Sequence, residues 1–287
     1  MLIIVTGYRR WVQFVCNKFL SCDLLLSCFV IVLTFSSKFY RLLLDHFIVG
    51  GQNAGEGDAP YQISLQTLAG SHLCGGAILS ASWTLTAGHC VSGWPADRLR
   101  VAVGTIRYTQ PGALHYPSAI YVHCNYDQPK YHNDIALLQL NESIRYDALT
   151  QPVALAHASW PVGTAELLFT GWGTQSAAGA TPTLLQMVQQ QHITRQECET
   201  RLAAYEDLQL GVCHVCAFRA QNIGACHGDT GGPLVHNGQL IGILNFMVPC
   251  AQGVPDVFMD ARYYREWMRR VMSGNGKCAG VQQQIIN

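Results

Sequence analysis

From Ile48 onward the chain is cut into short pieces. Gly and Pro recur at Gly70, Pro95, Gly104, Pro111, Gly112, Pro152, Gly163, Gly171 and Gly173, and turns are expected there. The runs between them alternate. Tyr61-Gln62-Ile63-Ser64-Leu65-Gln66 and Leu99-Arg100-Val101-Ala102-Val103 put apolar residues on one side and polar or small ones on the other, the period of half-buried strands. Many short strands separated by turn signals predict an all-β sandwich or barrel. The period changes only near the end. Tyr264, Trp267, Met268 and Val271 fall at i, i+3, i+4 and i+7, which predicts a one-faced helix, and Ser273-Gly274-Asn275-Gly276 stops it. A flexible tail is expected over 273–287.

Composition narrows the function classes. A chain of 287 residues with 49% apolar and 13% charged residues can bury one large or two small cores and is not disordered. Eighteen basic and 18 acidic side chains give no basic footprint, so nucleic-acid partners are excluded. Twelve cysteines without a CxxC…CxxC or CxxC…HxxxH pattern point to disulfides in an oxidising compartment rather than to zinc. No cofactor or metal is expected. A calcium loop is disfavoured as well, because no Asp or Glu lies between Asp97 and Asp127.

The amino-terminal region predicts export. Arg9, Arg10 and Lys18 precede an apolar run from Leu24 to Phe35, long enough for a signal-peptide core and too short to span a bilayer. Residues 1–36 are read as a signal peptide, with an uncleaved anchor as the alternative, and 37–47 as a short pro-segment. The product is expected to be secreted and monomeric, with no stable membrane association.

Three stretches carry chemistry. Ala225-Cys226-His227-Gly228-Asp229-Thr230-Gly231-Gly232-Pro233 is a tight turn whose glycines let backbone amides approach a reacting oxygen. Thr86-Ala87-Gly88-His89-Cys90 supplies an imidazole. Asn133-Asp134-Ile135-Ala136-Leu137-Leu138 supplies a carboxylate at the head of an apolar strand. Alone, the first stretch is equally well an ordinary Gly-rich surface turn. Together, in the order His, Asp, hydroxyl, they match one arrangement of nucleophile, base and orienter.

These stretches, with Cys74-Gly75-Gly76, Gly171-Trp172-Gly173 and Phe47-Ile48-Val49-Gly50-Gly51, resemble the trypsin/chymotrypsin family of serine endopeptidases, in detail most like arthropod chymotrypsin-like members. The resemblance runs from Ile48 to about Val271. It implies two packed antiparallel Greek-key β-barrels with a C-terminal helix, over 48–272, acting on a polypeptide substrate or holding a protein partner. It implies His89 as general base, Asp134 as its orienter, and an oxyanion hole made by the amides of Gly228 and Thr230. It also implies disulfides Cys74–Cys90, Cys198–Cys216 and Cys226–Cys250, leaving Cys124, Cys213 and Cys278 unassigned. An activating protease would free the amino group of Ile48 to pair with Asp229.

The departures are as informative as the matches. Thr230 stands where the family has its nucleophilic serine, and its extra methyl stiffens χ1 and must fit wherever the hydroxyl points at His89. Phe47 precedes the activation junction in place of the usual Arg, which favours a chymotrypsin-like activator. The resemblance implies a substrate pocket with Gly224 at its base, Asp256 and Met247 where the family usually has glycines on the walls, and Asn245 in place of the family's serine beside the orienting carboxylate. Two readings follow: a protease homologue that keeps the cleft but hydrolyses poorly, and a working digestive-type endopeptidase that uses Thr230.

Overall fold

The computed structural model describes residues 48–157, 165–275 and 285–286. The signal and pro-segment readings therefore lie outside the described residues. Two antiparallel barrels make up the body. The first contains β2 (Gln62–Thr67), β3 (His72–Ser80), β4 (Trp83–Thr86), β5 (Leu99–Val103), β6 (Ala113–His115), β7 (Pro117–Val122) and β8 (Ala136–Leu140), preceded in the chain by β1 (Gln52–Asn53). The order is β7-β8-β4-β3-β2-β5-β6, curled so that β5 comes near β7. The second contains β10 (Glu166–Gly171), β11 (Gln186–Ile193), β12 (His214–Phe218), β13 (Pro233–His236), β14 (Gln239–Phe246) and β15 (Asp256–Asp260), after the short β9 (Ala154–Leu155). Its order β11-β10-β13-β14-β15-β12 closes because β12 pairs back onto β11.

Each barrel has its own apolar filling. Ile63, Leu65, Ile78, Leu99, Val101, Ile120 and Leu138 fill the first, and Phe169, Leu234, Ile241, Leu244 and Phe258 the second. A third cluster lies between them, where Tyr61, Leu85, Leu137, Trp172 and Leu240 meet the closing helix. That helix, α2 (Arg265–Met272), follows α1 (Arg195–Arg201), and its predicted face is the one that packs: Tyr264, Met268 and Val271 are buried and Trp267 partly so. The ionic face carries Glu266 between Arg269 and Arg270. In the tail, Ile285–Ile286 pair antiparallel with Ile120 and Tyr121 of β7.

One expectation needs correcting. The polar side of β2 does not face water: Gln62, Ser64 and Gln66 are as buried as Ile63 and Leu65. The strand is covered on both faces because the second barrel packs against its outer side. Its polar groups are satisfied across the molecule, Gln62 Oε1 accepting from Thr170 Oγ1 at 2.7 Å and Gln66 Nε2 donating to the Tyr108 carbonyl at 2.9 Å. Alternation marked a strand correctly but could not tell a solvent face from a polar seam.

Candidate active site

His89 sits in the turn after β4, and the Cys74–Cys90 disulfide ties that turn to β3 with a Cα separation of 6.2 Å. Asp134 lies at the end of the segment between β7 and β8. Asn133 precedes it in the left-handed region, held by bonds from its side-chain amide to the carbonyls of Asn125 and Gln128 and by the Tyr264 hydroxyl. The carboxylate is buried and gives both oxygens to one residue. Oδ2 meets His89 Nδ1 at 2.7 Å, and Oδ1 accepts the His89 backbone N–H at 2.7 Å. The bond to a carboxylate fixes the tautomer, with hydrogen on Nδ1 and the Nε2 lone pair toward the cleft. Desolvation of the ring pulls its pKa down, but the hydrogen bond and charge of Asp134, aided by Asp127, outweigh this and the net shift is upward.

The turn bearing Thr230 comes from the second barrel and is pressed against the first. The Thr230 carbonyl accepts the Gly75 N–H at 2.8 Å, and a Cβ at Gly75 would stand 2.8 Å from the Gly232 Cα, so only glycine allows the approach. The amides of Asp229, Gly231 and Gly232 bond to the carbonyls of Cys226, Leu244 and Asp229. Those of Gly228 and Thr230 have no protein acceptor among the described residues. Two N–H groups close together in one turn and unpaired within the protein can accept a developing oxyanion. Among the described residues the Thr230 hydroxyl makes no hydrogen bond to His89.

Asp229 is fully buried beneath this turn. Its oxygens accept from Gly173 N at 2.7 Å and Cys226 N at 2.9 Å. A Cβ on Gly171 or Gly173 would fall 2.2 Å from its carboxyl, which accounts for the glycines flanking Trp172. Burial pushes its pKa up to about 7, against the two backbone bonds and with help from Asp256. The Ile48 side chain is completely buried in the second barrel, and Val49 bridges Gly224.

Gly224 and Asp256 do come together. Asp256 Oδ2 accepts from Ala225 N at 3.0 Å and from Gln190 Nε2 at 2.6 Å, and a Cβ on Gly224 would stand 2.8 Å from that oxygen. Burial raises the Asp256 pKa to about 6 against these two donors. Met247 is half-buried against the second-barrel core. Asn245 does not bond Asp134. Its amide donates to the Tyr131 carbonyl at 2.8 Å, while both Asp134 oxygens serve His89. All three expected disulfides are present, Cys124 is disulfide-bonded too, and Cys213 is a free, buried thiol.

The trypsin family model matches residues 48–268. The chain belongs to the trypsin family of serine endopeptidases. Among its relatives, Chymotrypsin-2 of Vespa crabro is 35% identical over 223 residues, covering 78% of this chain and 99% of the wasp protein. Trypsin Blo t 3 of Blomia tropicalis is 36% identical, covering 78% and 86% of the two chains, and a trypsin of Sarcophaga bullata is 35% identical, covering 79% and 89%.

Two residues of this trypsin-family site escaped sequence reasoning. His72 Nε2 donates to the Gly228 carbonyl at 3.0 Å while its Nδ1 accepts from Ser64 at 2.7 Å, and burial lowers its pKa to about 4, so it props the turn as a neutral ring. Gln190 is the buried donor to Asp256, with its own Oε1 left without a partner. Neither stands in a motif, and each acts across more than 60 residues of sequence.

Proposed function

We propose that this trypsin-family chain is a secreted protein with a peptide-binding cleft whose hydrolytic activity is impaired at one atom group, the γ-methyl of Thr230. The observation carrying this reading is the contrast between a fully bonded His89–Asp134 pair and a Thr230 hydroxyl that does not engage it. His89 acts as general base, Asp134 holds its tautomer, and the amides of Gly228 and Thr230 receive the oxyanion, worth about 3 kcal/mol per donor. Threonine brings the same oxygen as serine, but a β-branched side chain has few χ1 choices. A rotamer that turned the methyl away from the Cys74–Cys90 bridge would take the hydroxyl from the histidine, and a 1 Å misplacement costs ~10²-fold.

Cleavage between Phe47 and Ile48, by a chymotrypsin-like protease, frees an ammonium that pairs with Asp229. The pocket for the residue before the scissile bond takes medium apolar side chains such as Leu and Met. Its base is Gly224, and the Asp256 carboxylate against it is already engaged by Gln190 and Ala225. Arg and Lys therefore do not lead.

The intact pair and the two unpaired amides also support a second reading, a slow endopeptidase using Thr230 itself. Hydrolysis of a mixed peptide library by the chain cleaved at Ile48 and by its Thr230→Ser variant separates the two. The first reading expects a rise of at least ~10²-fold with serine, and equal turnover supports the second.

A further inference from the structure

Outside the catalytic cleft, His132, Cys213 and His214 bring their ligand atoms within 4.8 Å of one another. Cys213 Sγ lies 3.6 Å from His132 Nδ1 and 3.6 Å from His214 Nδ1. Each ring brings its Nδ1 to the sulfur. His132 Nε2 donates to the Gln209 carbonyl at 2.7 Å and His214 Nε2 to the Tyr131 carbonyl at 3.3 Å, so in the tautomer with hydrogen on Nε2 each Nδ1 is the acceptor. A backbone carbonyl behind each imidazole is the arrangement that orients metal-bound histidines. A tetrahedral zinc ion with Zn–S of about 2.3 Å and Zn–N of about 2.0–2.1 Å holds S and N about 3.6 Å apart. Both separations here have that value.

We propose that His132 Nδ1, Cys213 Sγ and His214 Nδ1 form a zinc-type site with a water in the fourth position. Binding converts the Cys213 thiol to a thiolate–zinc bond and releases one proton to solvent. The Gly211 N–H, which donates to His214 Nδ1 at 2.9 Å, gives up that bond when the ion enters. Val212, 68% exposed at the turn that carries the thiol, and the half-buried His132 leave the site reachable from solvent. The ion would join the segment ending at Asp134, in the first barrel, to the start of β12 in the second. Among the described residues the other histidine–cysteine group, Cys74, His89 and Cys90, offers no thiolate because both sulfurs are in a disulfide.

The test titrates the full chain with Co²⁺, reading the thiolate-to-cobalt charge-transfer band, then displaces it with Zn²⁺. It also follows alkylation of Cys213 by mass spectrometry with and without zinc. One ion per chain is expected at this site, with at least tenfold slower alkylation of Cys213 in zinc and loss of the band in Cys213→Ser. His132→Gln, at a half-buried position, should weaken binding at least tenfold while the metal-free melting point still reports a folded chain. A band unchanged in Cys213→Ser, or Cys213 alkylated equally fast with and without zinc, would show a thiol–imidazole hydrogen-bond cluster and nothing more.

Discussion

The two barrels contribute unequal halves to the cleft. The first supplies His89 and Asp134, joined by two 2.7 Å bonds and locked by a disulfide, with no unusual residue at either position. The second supplies the turn of Thr230, the buried carboxyl of Asp229 and the proposed pocket, and it carries the departures at Thr230, Asn245, Met247 and Asp256. In the function we propose, the difference separates acid–base machinery from the oxygen it should activate. A change confined to the second half leaves the first competent, so the defect we propose is local and reversible.

The largest expected effect breaks the sound half. In the Thr230→Ser background, Asp134→Asn leaves His89 in the wrong tautomer and should lower kcat by ~10⁴-fold. Progress curves measure it, and thermal melting checks that the buried substitution has not unfolded the barrel. A loss under tenfold would mean that the 2.7 Å pair is not the catalytic one.

A smaller effect concerns the pocket in the altered half. Met247→Gly in the same background should raise kcat/KM for Phe or Tyr before the scissile bond by at least about tenfold, because the whole thioether side chain leaves the proposed wall. Peptides differing only at that residue read the change. An unchanged Leu-to-Phe ratio would place Met247 away from the bound side chain.

The smallest effect is on stability, and its sign is fixed. Burial raises the folded pKa values of Asp229 and Asp256 to about 7 and 6 from the ordinary carboxylate value of 3.8. A group raised on folding contributes stability below its unfolded pKa and loses it as pH climbs through the folded one. The uncleaved chain should therefore lose stability between about pH 4 and 7, and the upward shift of His89 adds to the loss above about 6.5. Chymotrypsin cleavage after Phe47 puts an ammonium beside Asp229 and should flatten this decline. Denaturant midpoints of the two forms across that range show it, and identical pH profiles would argue against the Ile48–Asp229 pair.

How much of this was legible in the chain follows from where the information sits. His89, Asp134 and the turn of Thr230 could be found because each lies in a local run that builds its own geometry, a strand end or a glycine turn. The strands declared themselves by alternation, and α2 by its one apolar face. His72 and Gln190 were invisible for the opposite reason. Gln190 is the middle of three glutamines, Gln189-Gln190-Gln191, and only pairing with Leu167 on β10 decides that it faces inward while its neighbours are exposed. The burial of Gln62, Ser64 and Gln66 likewise depends on a second barrel that β2 alone does not announce. Residues 1–47, read as export and activation signals, lie outside the described structure.

The most direct measurement of the central claim is a double-mutant cycle at the meeting point of the two halves. Four proteins are compared for kcat/KM on one Leu-containing peptide: the natural chain, Thr230→Ser, His89→Ala, and the two substitutions together. If the base is sound and the methyl blocks its use, serine raises activity by at least ~10²-fold only where His89 is present. His89→Ala then removes ~10³-fold or more from the serine protein and little from the threonine one. If His89→Ala costs both backgrounds equally, Thr230 already uses the histidine and the proposed impairment is wrong.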